Sequence, residues 1–338
     1  MTKDSDGPVT LKTIAAEMGV SVTTVARALK DGHKISPEMV LKVRETAARM
    51  GYVRNLDGAR LRTGRTFVIM AFLGFQPEEE VGDSGAVGLL NGIHQRLVGT
   101  EYALRAVPVG QGAAGLDAVR QVVRARQADG IILDHTELLD ARVKYLLEAD
   151  FPFVTFGRTE LLSEHPWFDI DNEQAAHQGT EALLRDGFRR IALIDGEPRF
   201  TFVRQRLRGY EQALRDHGIA PDPALRHLGE LAPDTARRAA GPLLDAGADA
   251  FLCANELALL GAQAGTRDRL GAKAGAVGFA QRSGTRLGDY IAAPVHSAHF
   301  SRRMAGARLA DLLLRRIEGA APAECQELAQ TTLISTGG

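Results

Sequence analysis

The stretch VTLKTIAAEMGVSVTTVARALK, residues 9–30, decides how the first part of the chain folds. Leu11, Ile14, Ala15 and Met18 recur at i, i+3, i+4 and i+7 and so form one apolar face of a short helix. Thr10 is placed to cap its N-terminus, and Gly19 supplies the left-handed residue that ends it. A second helix opens at Ser21, with Val22, Val25 and Leu29 on one side. A third begins at Ser36-Pro37, a capping residue followed by the residue best suited to the first helical position. Val40, Val43, Ala47 and Met50 form its inner stripe, and Gly51 ends it. Three short helices share one small core, which leaves Thr23, Thr24, Arg27 and Lys30 of the second outside. Short hydroxyl side chains at a helix N-terminus approach a phosphate backbone closely, and an arginine behind them reaches guanine edges in a major groove. On a generic amphipathic helix the same residues would only solvate an exposed face.

Charge supports the sharper reading. Residues 1–66 hold 12 Lys+Arg against 7 Asp+Glu, whereas the remainder holds 29 against 35. A basic head on an acidic body suits a polyanionic partner. With 338 residues, 45% hydrophobic and 25% charged, the chain has the composition of a globular protein with one small and one or two larger domains. The opening MTKDSDGPVT has no signal-peptide-like apolar stretch, and no apolar run is long enough to span a bilayer. A cytoplasmic protein without membrane contact is therefore expected. Cys253 and Cys325 stand apart and are expected to be free, buried thiols, and no Cys/His cluster suggests a metal site.

The head sequence VTLKTIAAEMGVSVTTVARALKDG, continued by KISPEMVLKVRETAARMGY and LRTGRT, resembles the DNA-binding head of the LacI/GalR family of bacterial transcription regulators. The resemblance runs without a gap through residue 66. It implies a helix-turn-helix domain over residues 1–54. Val22, Thr23 and Arg27 would then take base-reading positions and Ser21 and Thr24 phosphate-contacting ones, with Thr10 and Asn55 as further candidate DNA contacts. It also implies a hinge over residues 55–66 that becomes helical when two subunits sit on operator DNA. There Leu61 would wedge into the minor groove. The hinge departs from the family pattern: Asp57-Gly58-Ala59-Arg60 replaces a small-small-Arg run, and Arg54 stands in place of a proline. Gly58 disfavours helix by roughly 1 kcal/mol relative to Ala. The hinge is therefore expected to be harder to order, with Arg54, Arg60 and Arg62 compensating for the charge of Asp57.

From Phe67 onward, β and α patterns alternate. Strands are predicted over 67–73, 102–109, 130–134, 152–157, 190–195, 249–254, 275–280 and 295–300, and helices over 85–98, 116–127, 173–187, 203–217 and 301–318. This alternation predicts parallel sheets wound on both faces, in two similar halves about a cleft. The resemblance implies an α/β body like periplasmic sugar-binding proteins over residues 67–338, with two doubly wound subdomains. They are placed at 67–165 plus 293–324 and at 166–292 plus 325–338, with crossovers near 165, 293 and 324.

Ligands in open parallel sheets sit beyond the carboxyl ends of the strands. That rule selects Phe72, Phe75, Asp134, His135 and Arg158 on one half. On the other it selects Phe202 in GEPRFTFVRQRLRGY, then Asn255 and the segment GFAQ ending in Gln281. Aromatic rings stack on sugar rings, while planar Arg and Asn groups hydrogen-bond vicinal hydroxyls. Trp167 fits a sugar platform and a core position equally well. By resemblance, Arg206 and Asn255 match effector-contacting positions, and TFGRTE, HPWFDIDN and RFTFVRQRLRGY resemble a subgroup tied to sugar uptake, often of α-glucosides. The family's effector-binding aspartate is replaced by Ala280, for which Gln281 is the candidate substitute.

No G-x-x-x-x-G-K-[ST], G-x-S-x-G or H-E-x-x-H motif occurs, and the glycines of VGQGAAGLD lack dinucleotide-loop spacing. The expectation is a non-enzymatic, homodimeric or higher-oligomeric repressor that needs no cofactor, binds a pseudo-palindromic operator and is released by a small sugar. A regulator that tightens on DNA with a purine-like or phosphorylated corepressor is the other reading.

Overall fold

A computed structural model describes residues 9–336 except 31, 53–55, 75–83, 109–111 and 292. The chain divides into two compact units, residues 1–65 and 66–338.

In the first unit, α1 spans Leu11–Met18, α2 Val22–Lys30 and α3 Pro37–Arg49. Thr10 caps α1 through a box in which its hydroxyl accepts from the Thr13 amide, while Thr13 accepts from the Thr10 amide. Gly19 ends the helix at φ 63°, where a side chain would be strained. Ser36 caps α3, with Pro37 in the first turn. Ile14, Ala15, Val25, Ala28, Val43 and Ala47 form the buried core, and Leu29, Val40 and Met50 pack against it. Val22 departs from the expected stripe: it is 41% exposed, and Ala28 takes the inner position instead. The buried arc of α2 centres on Val25 and Ala28, so Val22 falls on its rim at the N-terminal end.

Residues Leu56–Thr63 form α4. Leucine, alanine and arginine fill most of LDGARLRT, and these strong helix formers offset one glycine.

The second unit begins with β1 (Val68–Leu73), α5 (Ser84–Leu97), β2 (Ala103–Pro108), α6 (Gly112–Arg124), β3 (Gly130–Leu133), α7 (Ala141–Glu148), β4 (Phe153–Phe156) and β5 (Trp167–Ile170). There follow α8 (Asn172–Arg185), β6 (Ile191–Asp195), α9 (Thr201–Asp216), β7 (Arg226–Leu228), α10 (Pro233–Asp245), β8 (Ala250–Cys253), α11 (Glu256–Leu270) and β9 (Gly278–Ser283). The chain ends with β10 (Val295–His299), α12 (Arg302–Ile317), β11 (Gln326–Ala329) and β12 (Thr332–Thr336).

Two six-stranded sheets result, ordered β11-β5-β4-β3-β1-β2 and β12-β10-β9-β8-β6-β7. Every pairing is parallel except β10 with β12. The chain passes between the sheets after Ile170, after His299 and after Ala329, several residues beyond each expected crossover. The strands β5, β10 and β11 account for the shift. Each extends its own sheet before the chain leaves, and none carries a long apolar run. Residues Gly271–Ala276 form a 3-10 turn, so β9 starts later and runs further than expected, to Ser283.

Apolar clusters cover both faces of each sheet. Two close backbone approaches fix helices that carry the site. A methyl at Gly209 would run into the Glu173 carbonyl, so α9 lies directly on the start of α8. Methyls at Gly92 and Gly306 would meet the carbonyls of Arg303 and Leu89, which locks α5 against α12. Cys253 and Cys325 are free and buried. Among the described residues no helix is long and apolar enough to cross a membrane.

Candidate functional site

The N-terminus of α2 gathers the candidate DNA contacts of the head. The Ser21 hydroxyl accepts from the Thr24 amide at 3.1 Å and shares a 2.8 Å hydrogen bond with the Thr24 hydroxyl, which caps the helix. Val22, Thr23 and Arg27 are exposed beside it. Two other cations of the head are paired, Lys42 with Glu38 at 3.1 Å and Arg49 with Glu17 at 3.3 Å. Among the described residues Arg27 has no such partner. Thr10 is exposed but engaged in its capping box. Leu61 is 90% exposed on α4. Asn55 lies outside the described residues.

In the body, the ends of β4, β5 and β6 converge with the starts of α8 and α9 on one connected polar seam. Arg158 donates through Nε to Asp169 at 2.8 Å and lies over the Trp167 ring at 5.5 Å. Asn172 donates to Asp169 at 3.2 Å and to Gln205 at 3.1 Å, and it accepts from Arg206 at 3.3 Å. Arg206 in turn grips Asp195 with a two-pronged pair, Nε at 2.8 Å and Nη2 at 2.6 Å. The seam thus runs from the first lobe, through the crossover at 170–172, into the second. Its second-lobe end is buried, with Asp195 0% and Arg206 7% exposed, whereas Arg158 at the other end is half-buried. Burial raises the Asp169 pKa against the opposing pull of Arg158.

A second bridge clasps the lobes together. The Thr201 amide donates to the Thr136 carbonyl at 3.2 Å, and Arg199 pairs with Glu137 at 2.9 Å. His135 sits edge-on to Phe200 and Phe202 at 5.4 and 5.7 Å, and those two rings stack on one another at 5.3 Å. The His135 backbone adopts φ 53°, a conformation rare for a residue with a side chain. Its ring meets Asp134 at 3.1 Å. Burial acts to raise the Asp134 pKa, but His135 and Arg302 together hold it well below the ordinary carboxylate range.

The candidates therefore separate. Asp134, His135, Arg158, Phe202 and Arg206 come together on the seam and clasp, and Trp167 lies beneath Arg158 rather than in the core. Phe72 does not join them. It is 3% exposed and packs in the core between β1 and α6, because both faces of this central strand are covered. Phe75 lies outside the described residues. Asn255 caps α11, its side-chain oxygen accepting from Ala258 at 2.8 Å. Gln281 cannot replace the missing carboxylate: it is fully buried and donates to Ser297 at 3.0 Å. Strand alternation points it away from the face that Ala280 shares with α8. A groove of about 390 Å³ along α8 and α9 takes only Arg158 from the candidates. The residues missed were Asp169, Asn172, Asp195, Phe200 and Gln205. Asp195 ends a strand and Asp169 and Asn172 lie in HPWFDIDN, so position and motif both marked them.

Comparison with known proteins adds an independent line. Residues 10–55 match the family model of bacterial regulatory proteins of the lacI family. Residues 86–334 match that of periplasmic binding proteins and the sugar binding domain of the LacI family. The chain is 30% identical over 330 residues to the transcriptional regulator RafR of Escherichia coli, covering 94% of this chain and 95% of RafR. It is 32% identical to the regulator MalR of Streptococcus pneumoniae over 215 residues, a match spanning 64% of this chain and 65% of MalR. Among solved structures, the complex of the regulator CelR with cellobiose superposes with a TM-score of 0.73 at 25% identity, covering 98% of this chain and 100% of that one. With a matching head, a matching body and a relative aligned over nearly its whole length, the chain belongs to the LacI family of bacterial regulatory proteins.

Proposed function

We propose that the protein is a homodimeric repressor that reads a pseudo-palindromic operator through α2 and is released by a small sugar bound in the cleft of the body. The exposed, unneutralised Arg27 beside Val22 and Thr23 carries this reading, because a guanidinium on that face reaches both acceptors of a guanine edge. Two heads per dimer explain how so small a reading surface gains specificity. Val87 and Met304, 53% and 57% exposed on the adjoining helices α5 and α12, offer an apolar patch suited to a second copy. The protein acts by binding, not by catalysis.

The seam and clasp supply the coupling. A sugar that enters between Arg206, Arg158 and the Phe200–Phe202 stack competes for contacts that hold the two lobes in one arrangement. An effector shifts the equilibrium only through its differential affinity for the two arrangements, and the same coupling lowers operator affinity. The CelR structure holds cellobiose, which favours a sugar over a nucleobase.

The wedge role of Leu61 gives a direct test. Leu61→Ala is expected to reduce operator bending and operator affinity by roughly ten-fold, while effector affinity for the free protein stays unchanged. Energy transfer between dyes at the two ends of an operator fragment reads the bend. An unaltered bend removes the wedge from the account.

A further inference from the structure

The Phe200–Phe202 stack is covered by the chain's own cations. Its rings lie 5.3 Å apart with planes 5° from parallel. Slipping a planar group between two rings needs about 7 Å, two van der Waals contacts. Arg199 lies over the Phe200 ring at 4.4 Å and Arg206 over the Phe202 ring at 5.0 Å, so each guanidinium takes an outer face. His135 stands edge-on to both rings. In this arrangement neither phenyl face is open to a sugar.

The two guanidiniums are held very differently. Arg206 is buried and two-pronged on the fully buried Asp195, so its departure would strand a desolvated carboxylate. Arg199 is part-exposed, and so are its two partners, Glu137 at 2.9 Å and Glu197 at 2.8 Å. A cation–π contact and ion pairs at that exposure are weak. Arg199 can leave its ring where Arg206 cannot. Glu197 lies in its own loop, whereas Glu137 belongs to the other lobe. Beside that ion pair, Glu137 and Phe200 form an antiparallel backbone bridge, and the Leu138 amide donates to the Arg199 carbonyl at 3.4 Å. The first-lobe side of this contact is stiff. Buried Arg142 donates to the carbonyls of Asp134 and His135 at 3.2 and 3.0 Å and grips Asp140 through Nη2 at 2.7 Å.

We propose that the outer face of Phe200 is a sugar-stacking subsite that Arg199 covers as a displaceable lid, and that a pyranose ring taking its place breaks the Arg199–Glu137 latch between the lobes. The proposal rests on the reading of this cleft as the site of a sugar that releases the operator. A pyranose presents a flat C–H face to a phenyl ring, in the place the guanidinium now fills. Latch and sugar therefore exclude one another, and the sugar selects the unlatched arrangement. By linkage, the latched arrangement is the one that binds the operator. The stiff first-lobe loop cannot follow Arg199 as it leaves, so the lobes part.

Calorimetric titration of the full-length chain with maltose, cellobiose and D-glucose, alongside operator binding by fluorescence anisotropy, tests it. Arg199→Ala should bind at least one of these sugars about ten-fold more tightly than the wild type, and the operator about ten-fold more weakly. Glu137→Gln, which loosens the latch and leaves the guanidinium on its ring, should move both affinities the same way. Phe200→Leu should weaken the sugar by about ten-fold or more. An arginine that served the sugar directly would weaken it when removed, so the sign of the change decides. Sugar affinity unaltered or weakened in Arg199→Ala overturns the lid and leaves the sugar reading standing. Tighter sugar binding with unchanged operator affinity overturns the latch. Binding of none of the three sugars by either protein overturns the sugar reading, and weaker operator binding by Arg199→Ala then still supports the latch.

Discussion

Arg206→Ala is expected to lower the stability of the body by about 3–5 kcal/mol and to abolish the response to effector. The size follows from what is left behind. Asp195 is fully buried, and after the substitution its carboxylate would keep only the Gly196 amide at 2.6 Å in place of two guanidinium bonds. Breaking a buried pair on one side costs far more than the pair contributes, because the partner's charge stays desolvated. A loss of that size lowers the melting temperature by roughly 10 °C for a unit of this length. The double variant Arg206→Met with Asp195→Leu should recover most of the lost stability while remaining unresponsive to effector. Those two readouts separate the structural role of the pair from its part in binding. A melting temperature unchanged in Arg206→Ala would mean that the pair is not formed in solution.

The second large effect concerns the head. Arg27→Ala should cost about 1–3 kcal/mol of operator binding, roughly five- to hundred-fold, if its fork meets a guanine. Binding to random DNA should fall much less, since phosphate neutralisation sets that affinity and the other basic residues of the head remain. Fluorescence anisotropy with operator and scrambled duplexes measures both. Equal losses on the two duplexes would assign Arg27 to the phosphate backbone.

The head was legible in sequence because local signals agreed there. Caps, a helix-ending glycine and apolar spacing all pointed to the same three helices, and tertiary packing moved only Val22. In the body, the long buried strands were plain, but the short β5, β7, β11 and β12 were not, since a strand of three to five residues is too brief to show a distinctive period. The site was harder for a different reason. The rule that ligands gather at strand ends finds the right loops but not which way a side chain turns. It chose Phe72, which alternation buries, over Phe200, which stacks in the clasp. It chose Gln281 for its polarity, although its strand turns it toward Ser297. Arg206 was found by its motif, yet nothing in the sequence shows that Asp195 already holds it. Pairing between residues distant in sequence is a property of the folded seam.

The central claim, a two-fold protein reading a two-fold site through α2, is tested most directly by selecting bound duplexes from random DNA with the full-length chain. The account predicts enrichment of a single pseudo-palindromic sequence whose half-sites are related by a dyad, and its loss when Arg27→Ala replaces the wild type in the selection. Recovery of no preferred sequence, or of an asymmetric one that Arg27→Ala enriches equally well, would contradict it.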